Sequence, residues 1–466
     1  MINRGELEGR LDSFYYKKVF RDFITKIKKS HFDIVHLNLI TSKITDGTHH
    51  TPTYIKNGVK FISVKDIKNN EINFNKTKFI SENEHNKLIK RCHPEVNDIV
   101  FTKIGTLCQT ALIKNHYEKF SLFVSVALIK INNNKLLSNY LVYLLSSNII
   151  KQQVKRTVKG IGVPDFHLED IKKLLIPLPS NNIQQNIIDI MDNAYKVKKE
   201  KEKESKNLFD SIDNYLLDNL GITLPDEPDN TIENRTFKVG FDDVFSDRLD
   251  ANSYTAYYQH IFNALKTSTT HFTTLKNITI KIKTGTTPNQ KLSPFTTDME
   301  NIPFLRNSDI QDGEIVSDKF KYVKNELSKY LTFSYKDEII ICIAGTIGVT
   351  ALNTYEKLSI NQNVSSLTID KSQININFLM YWLNTKVAIN LMERLASIAT
   401  ISYINNPTLL RLQIPIPDID IQNEIVKEIS QRRIKAKHLQ TEAKNELEKA
   451  KKEVENIILG ENNGKS

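Results

Sequence analysis

Hydrophobic positions change their period along the chain, and they do so twice in the same order. Phe14, Tyr15, Val19, Phe20, Phe23 and Ile27 fall at helix-like spacing and predict a helical opening over about 7–30, with a second over about 243–266. From about 32 to 179 the pattern breaks into short β-branched runs between turn residues, such as 59–64, 98–101 and 122–131. The same texture returns over about 270–417, with a run at 338–343. Residues 139–146 and 377–384 have the spacing of short amphipathic helices. After Ile176-Pro177-Leu178-Pro179, and again after Ile414-Pro415-Ile416-Pro417, the period lengthens to that of a long helix with one narrow apolar seam.

The first seam runs through Ile183, Ile187, Ile190, Ala194, Val197, Lys201, Leu208, Ile212 and Tyr215, with a polar gap near Glu204. The second runs through Ile425, Ile429, Arg432, Ala436, Leu439, Ala443, Leu447, Ala450, Val454 and Ile457, with a slip in the heptad frame near Leu447. Ile421 and the paired glutamines Gln184 and Gln422 stand at the seam starts, and Gly221 and Gly460 stand where C-terminal caps belong. A seam this narrow needs a partner helix, and each helix is the natural partner of the other. From Gln184 to Gly221 the rod spans about 50 Å at the α-helical rise, enough to hold two domains at least one DNA turn apart, roughly 34 Å.

Individual words repeat as well. Arg10-Leu11-Asp12 with Tyr16 returns as Arg248-Leu249-Asp250 with Tyr254, and Lys43-Ile44 with Gly47-Thr48 returns as Lys281-Ile282 with Gly285-Thr286, each 238 residues on. Phe61-Ile62 and Asp66-Ile67 match Phe304-Leu305 and Asp309-Ile310 at 243, which predicts a longer loop in the second copy. Gly105-Thr106 matches Gly345-Thr346 at 240, and the Ile-Pro-x-Pro motifs return to 238. An interval this long excludes a solenoid and predicts one large unit written twice.

Composition adds direction. At 466 residues, with 40% hydrophobic and 25% charged residues, the chain has room for about three folding units with real cores. A net charge of +10 is compatible with a polyanionic partner. Cys92, Cys108 and Cys342 are scattered, which argues against a disulfide framework or zinc site and for a reducing cytoplasm. No apolar leader or long apolar run is present, so a soluble protein is expected.

Catalytic signatures are missing from the sequence. It has no Walker loop and no Gly-x-Gly-x-x-Gly after a strand. Asn405-Asn406-Pro407-Thr408 lacks the second proline and aromatic of an amino-methyltransferase motif and reads as a turn. Asp98, with Lys103 five residues on, lacks the second carboxylate a nuclease needs; it and Asp337, its expected counterpart, read as turn residues entering strands. His49-His50 and Cys92-His93 lack companion ligands, so no metal is expected.

Binding candidates are loops that match in position and differ in residue. Lys43, Thr45, Gly47, Thr48, His49 and His50 face Lys281, Lys283, Thr284 and Thr286, where glycine permits a tight turn and the polar side chains can reach phosphates or base edges. Lys65 in the first copy faces Arg306, Asn307 and Ser308, and arginine and asparagine are the side chains that pair in two-pronged fashion with guanine and adenine. Lys103 and Thr346 lie in and beside the two Gly-Thr turns. Lys155, Arg156 and Lys159 form a basic loop against the nearly uncharged 395–400.

The Gly-Thr-x-Pro-like loops ending at Pro52 and Pro288, Phe304-Leu305-Arg306-Asn307-Ser308-Asp309-Ile310, Gly345-Thr346-Ile347-Gly348 and the Ile-Pro-x-Pro motifs with Gln184 and Gln422, duplicated in order, resemble the specificity subunit of type I restriction-modification enzymes along essentially the whole chain. The resemblance implies an α+β fold, with two mixed α/β target-recognition domains joined by two long antiparallel coiled-coil helices and an internal pseudo-twofold. The corresponding boundaries are a helical segment at 1–31, recognition domains at 32–179 and 270–417, helical regions at 180–222 and 418–466, and a linker with helical segment at 223–269. It also implies a non-catalytic reader of an asymmetric two-part DNA site, with Ile183, Gln184, Ile187, Ala194, Val197, Ile421, Gln422, Ile425, Ile429, Ala436 and Leu439 as rod and partner positions. Two adenine methyltransferase subunits would dock on the rods, an ATP-dependent translocase-nuclease would be a further partner, and S-adenosylmethionine, ATP and Mg²⁺ would belong to those partners. At Cys108 the family's second glycine is replaced, and a different turn is expected there. The alternatives are a stand-alone nuclease or methyltransferase and a coiled-coil adaptor that binds no DNA.

Overall fold

The computed structural model of the protein describes residues 12–460, apart from 133–134, 159–161, 225, 227–228, 230, 241–249, 317–319 and 398–401. The chain divides into two compact units. One contains residues up to Lys203 together with those from Leu439 onward, and the other runs from Glu204 to His438. Both boundaries fall inside long helices, Asn181–Asn219 and Ile419–Leu459, so each unit owns part of each rod.

In the first unit a four-stranded antiparallel sheet has the order Thr41–Asp46, Val126–Ile131, Ile99–Thr102, Thr110–Leu112. A second sheet places Val59–Ile62 between Lys78–Ile80 and, in parallel, Phe120–Leu122. In the second unit the four-stranded sheet returns as Thr279–Thr284, Val364–Ile369, Ile339–Cys342, Thr350–Leu352. Its second sheet has five strands, including Phe295–Thr296, which lies in the insertion that lengthened the repeat interval. The Ile-Pro-x-Pro motifs form short two-stranded ribbons, Asp33–His36 with Leu175–Leu178 and Phe272–Thr274 with Gln413–Pro415, where a missing N–H is tolerated.

Helices Ser138–Ser146 and Ile376–Leu383 match the expected pair and sink into the cores; every residue from Phe378 to Leu383 is buried. Each is tied to its rod by a buried glutamine. Gln184 accepts from Leu137 N at 2.8 Å and donates to the carbonyls of Lys135 and Pro179 at 2.7 and 2.9 Å. Gln422 repeats this with Asn375 N at 2.8 Å and the carbonyls of Gln373 and Pro417 at 3.4 and 2.8 Å.

Within the first unit, Ile187, Ile188, Met191 and Ala194 share a core with Leu447, Ala450, Val454 and Ile458, and Lys201 pairs with Glu442 at 2.7 Å, so the two helical stretches run antiparallel. Within the second, Ile212, Leu216 and Leu217 share a core with Ile425 and Ile429; Glu204 pairs with Lys435 at 2.9 Å, and Arg432 covers Tyr215 while donating to Ser211 Oγ at 3.0 Å. Two seam details differ from the heptad reading: Ile458 is buried more deeply than Ile457, and Ile421 is 39% exposed. In the polar gap near Glu204 the buried residue is Ser205. Gly221 ends the first rod in a Schellman arrangement, with φ +63°, its N–H donating to Asp218 O and that of Ile222 to Leu217 O.

Other expectations need correction. The run 122–131 is two strands in different sheets, because Val126 N folds back to Phe123 O. The segment at Asn405 is a short helix, Asn406–Leu409: Asn405 caps it by accepting from Thr408 N at 2.9 Å, and Pro407 lies in the first turn, where its missing donor is harmless. Lys155 and Arg156 lie in helix Asn148–Thr157 and not in a loop, while Lys159 lies outside the described residues. The true counterpart of Arg156 is Arg394. Arg156 Nε donates to Tyr15 O at 3.1 Å, and Arg394 Nε donates to Ser253 O at 2.7 Å, 238 residues on. Each guanidinium also covers a tyrosine, Tyr15 or Tyr254, so the pair locks the opening segments onto their domains. In the Arg-Leu-Asp words, Asp12 and Asp250 hold these segments by accepting from Tyr15 N and Ser253 N, while Arg10, Leu11, Arg248 and Leu249 lie outside the described residues.

Candidate nucleic-acid interface

Gly47 and Gly285 are required by close approach and not by turn geometry. A Cβ on Gly47 would lie 2.0 Å from Leu122 O, and one on Gly285 would lie 2.2 Å from Asn361 O. The strand ends on either side are thereby pinned to the second sheet: Thr48 N donates to Leu122 O and Thr286 N to Ile360 O, each at 3.0 Å.

Behind Gly47, the buried Asp46 gathers charges from distant parts of the sequence. Arg91 contacts it directly, Lys103 Nζ lies 3.4 Å away and His49 Nε2 3.3 Å away. Lys103 also reaches Asp165 at 3.5 Å. Lys43 donates to Arg91 O at 2.7 Å, and His50 lies 2.7 Å from Thr48 Oγ1 and 3.0 Å from Glu84. The second unit has a neutral cluster at the same place: Thr284 Oγ1 lies 3.0 Å from Ser365 Oγ and accepts from Asn406 Nδ2 at 3.0 Å. Thr286 ties its loop to the distant segment 330–332, donating to Tyr330 O and accepting from Thr332 N.

A buried carboxylate immediately precedes the third strand of each four-stranded sheet, and the counterpart of Asp98 is Glu338, not Asp337. Asn97 and Asp337 hold the positive-φ turn positions at 70° and 64°, and Asp98 and Glu338 follow them with matching backbone bonds. Asp98 takes Lys130 at 2.5 Å, yet burial pushes its carboxyl above the usual range against that pull. For Glu338 burial also pushes upward, but bonds from Ser366, Tyr335 N, Lys283 and Thr368 outweigh it and hold the carboxyl at about 2. Lys283, a binding candidate, is therefore committed to this internal pair.

Two pairs of predicted loops do come together. In the first unit Lys65, Lys68, Asn69, Thr106 and Gln109 line a cleft of about 600 Å³ with Val64 and Ile67. The base of its loop is closed by Asp66, which accepts from Ser63 N at 2.8 Å and Ser63 Oγ at 2.9 Å. In the second unit Asp309 does the same work, accepting from Arg306 N at 2.9 Å. Arg306 also grips it through Nε at 3.0 Å and Nη2 at 2.7 Å. Asn307 Nδ2 lies 3.3 Å from the place a Cβ would occupy on Gly345, so the 306–309 loop meets the Gly-Thr turn that carries Thr346. Lys65, Ser308 and Thr346 are exposed at these tips, as are Lys43, His49, His50, Lys155 and Lys281 elsewhere; Thr45, Thr48, Lys103 and Arg156 are buried. The expected difference at Cys108 is absent. Cys108 adopts φ +60° and Gly348 +85°, and their N–H groups donate to Thr102 O and Cys342 O alike.

Sequence reasoning missed Asp46, Arg91, Gln109 and Arg394. A buried aspartate within a basic stretch is a faint signal for the first, and the interval of 238 from Arg156 is a usable one for the last. Among the described residues, no group of three or more His, Cys, Asp or Glu is placed to hold a metal, and no helix is long and apolar enough to cross a membrane.

Comparison with known proteins agrees with this duplicated geometry. The model of the type I restriction modification DNA specificity domain matches residues 14–208 and 268–449. The chain is 22% identical over 458 residues to the type I restriction enzyme MjaX specificity subunit of Methanocaldococcus jannaschii, covering 96% of this chain and 97% of that one. It is 25% identical over 206 residues to the EcoBI specificity subunit of Escherichia coli, covering 42% and 43%. A solved chain described under complex assembly and conformational transition of the type I R-M system superposes with a TM-score of 0.51 at 14% identity, over 92% of this chain and 96% of that one. With two matched segments that together span most of its length, the chain belongs to the type I restriction-modification DNA specificity family.

Proposed function

We propose that the chain is the non-catalytic reader of an asymmetric two-part DNA site, one half for each unit, with the rod helices setting the unread spacer. One observation carries the reading. The two units hold the same paired loops, 63–66 with 105–109 and 306–309 with 345–348, on the same backbone, and arm them with different side chains. A shared frame with different tips is what two different half-sites require. Arg306 is engaged by Asp309, so base donors at the second tip fall first to Asn307, Ser308 and Thr346, with Lys65, Thr106 and Gln109 facing the first. Lys43, Lys155 and Lys281, exposed and cationic, suit phosphate contacts that position without selecting sequence.

The same reading assigns chemistry to partners in the cytoplasm. Two adenine methyltransferase subunits bring S-adenosylmethionine and dock along the rods, and an ATP- and Mg²⁺-dependent restriction subunit joins them. The domain limits 32–179 and 270–417 define the exchangeable modules. Replacing residues 32–179 with those of a family member of different specificity should change one half of the modified motif, read by sequencing modified bases across the genome. A change in both halves, or in neither, contradicts the reading.

A further inference from the structure

In the second unit the loop bearing Arg306 and Asn307 runs directly into a hairpin, Ile310–Gln311 with Glu314–Ile315. Val316 N donates to Asp309 O at 2.8 Å and closes the base of that hairpin, so loop and hairpin form one body. Asp312 and Gly313 at its tip have φ of 49° and 76°, the left-handed pair of a tight two-residue turn. This tip rests on the rod of the same unit. Arg433 Nη2 donates to Asp312 O and reaches Glu314 Oε1 at 3.2 Å, while Lys437 contacts Glu314 Oε2. A Cβ on Gly313 would lie 3.2 Å from Met380 Sδ and 3.5 Å from the Arg433 guanidinium. Arg433 itself is held between Phe209 and Tyr381, each 5.9 Å from the ring centroid, with its side chain 13% exposed. Partial burial pushes the Glu314 carboxyl upward, but the two cations outweigh it and hold the group below its usual range. The first unit's hairpin has a carboxylate at the matching place, Glu71, but that group pairs with Lys114 at 3.9 Å, and the Asn69-Asn70 tip meets the rod through Lys198 Nζ and Asn69 Oδ1 at 3.5 Å.

We propose that Glu314 is a positioning residue for base selection, which through Arg433 and Lys437 ties the tilt of the 306–309 loop to the rod. The proposal rests on the two-part reading above. A loop whose seat is fixed presents Asn307 at one angle, and hydrogen-bonded base discrimination depends on that angle. Because the first unit holds its hairpin differently, it serves as an internal control.

The test replaces the native gene in its own cells with Glu314→Lys, Glu314→Gln, or Glu314→Lys combined with Lys437→Glu, and reads modified sites across the genome. Glu314→Lys should raise mismatched second half-sites by about five-fold while the first half stays as selective as in the wild type. Glu314→Gln should fall between, and the double exchange should recover at least half of the lost selectivity. An unchanged second half-site, equal loosening of both halves, or a loss that the double exchange leaves untouched overturns the proposal. If Glu314→Lys leaves no modified sites, Glu314→Gln decides by the same criteria. A wild-type chain that yields no two-part motif overturns the functional reading itself.

Discussion

At one strand position the two copies of the repeat have taken opposite electrostatic courses. Asp98 in the first unit lies beside Lys130 and is pushed upward by burial, whereas Glu338 in the second collects four bonds and is held at about 2. Asp46 and Thr284 differ just as clearly, the first at the centre of a charged cluster and the second in a neutral hydroxyl-amide cluster. Backbone and register agree at both places. The lesson is that the repeat preserves geometry and not chemistry: the sheet fixes where a polar group sits, and each unit satisfies that group with whatever its loops supply.

The largest expected effect breaks this comparison at Asp46. Asp46→Ala leaves the buried Lys103 with Asp165 alone and should destabilise the first unit by about 3 kcal/mol. Thr284→Ala, at the matching site, should cost about 1 kcal/mol in denaturant unfolding. Acid sharpens the contrast at the carboxylates. The folded Glu338 titrates near 2, below its ordinary value of 4.5, so its stabilisation is full above about pH 4.5 and is lost as pH falls toward 2. That loss is on the order of 3 kcal/mol, should confine itself to the second unit, and should vanish in Glu338→Gln. Asp98 has the opposite sign, because protonating a carboxyl raised by burial relieves the folded state. Asn307→Ala should cost about 1–3 kcal/mol of discrimination at one second-half position, read from the affinity of the assembled complex for matched and mismatched sites. The smallest effect is at the shared turn. Cys108→Gly relieves a left-handed non-glycine residue but loses a buried side chain, and should shift stability by less than about 1 kcal/mol. Gly348→Cys should be worse, since its Cβ would lie 2.9 Å from Met392.

Much of this architecture was legible in the sequence because it is periodic. The rods and the helices at 138–146 and 376–383 follow from local spacing, and the duplication from a near-constant interval. What escaped depends on contacts between distant residues. Asp46 meets residues 91 and 103, Lys103 in turn meets Asp165, and no local pattern joins them. Arg394 was hidden because the interval shortens from 240 at the Gly-Thr turns to 238 at the next helices, which misaligned the copies by two residues. Arg306 looked like a base-reading arginine by residue type, and only the fold shows its fork closed on Asp309.

The central claim, one frame with exchangeable tips, is tested most directly by grafting Ser63-Val64-Lys65 in place of Arg306-Asn307-Ser308. The graft keeps the cap, since Ser63 already serves Asp66 as Arg306 serves Asp309. The modified motif, sequenced from cells carrying this chain, should change its bases in the second half and keep its first half and spacer. A second half-site that stays the same, or a first half that changes with it, would contradict the account.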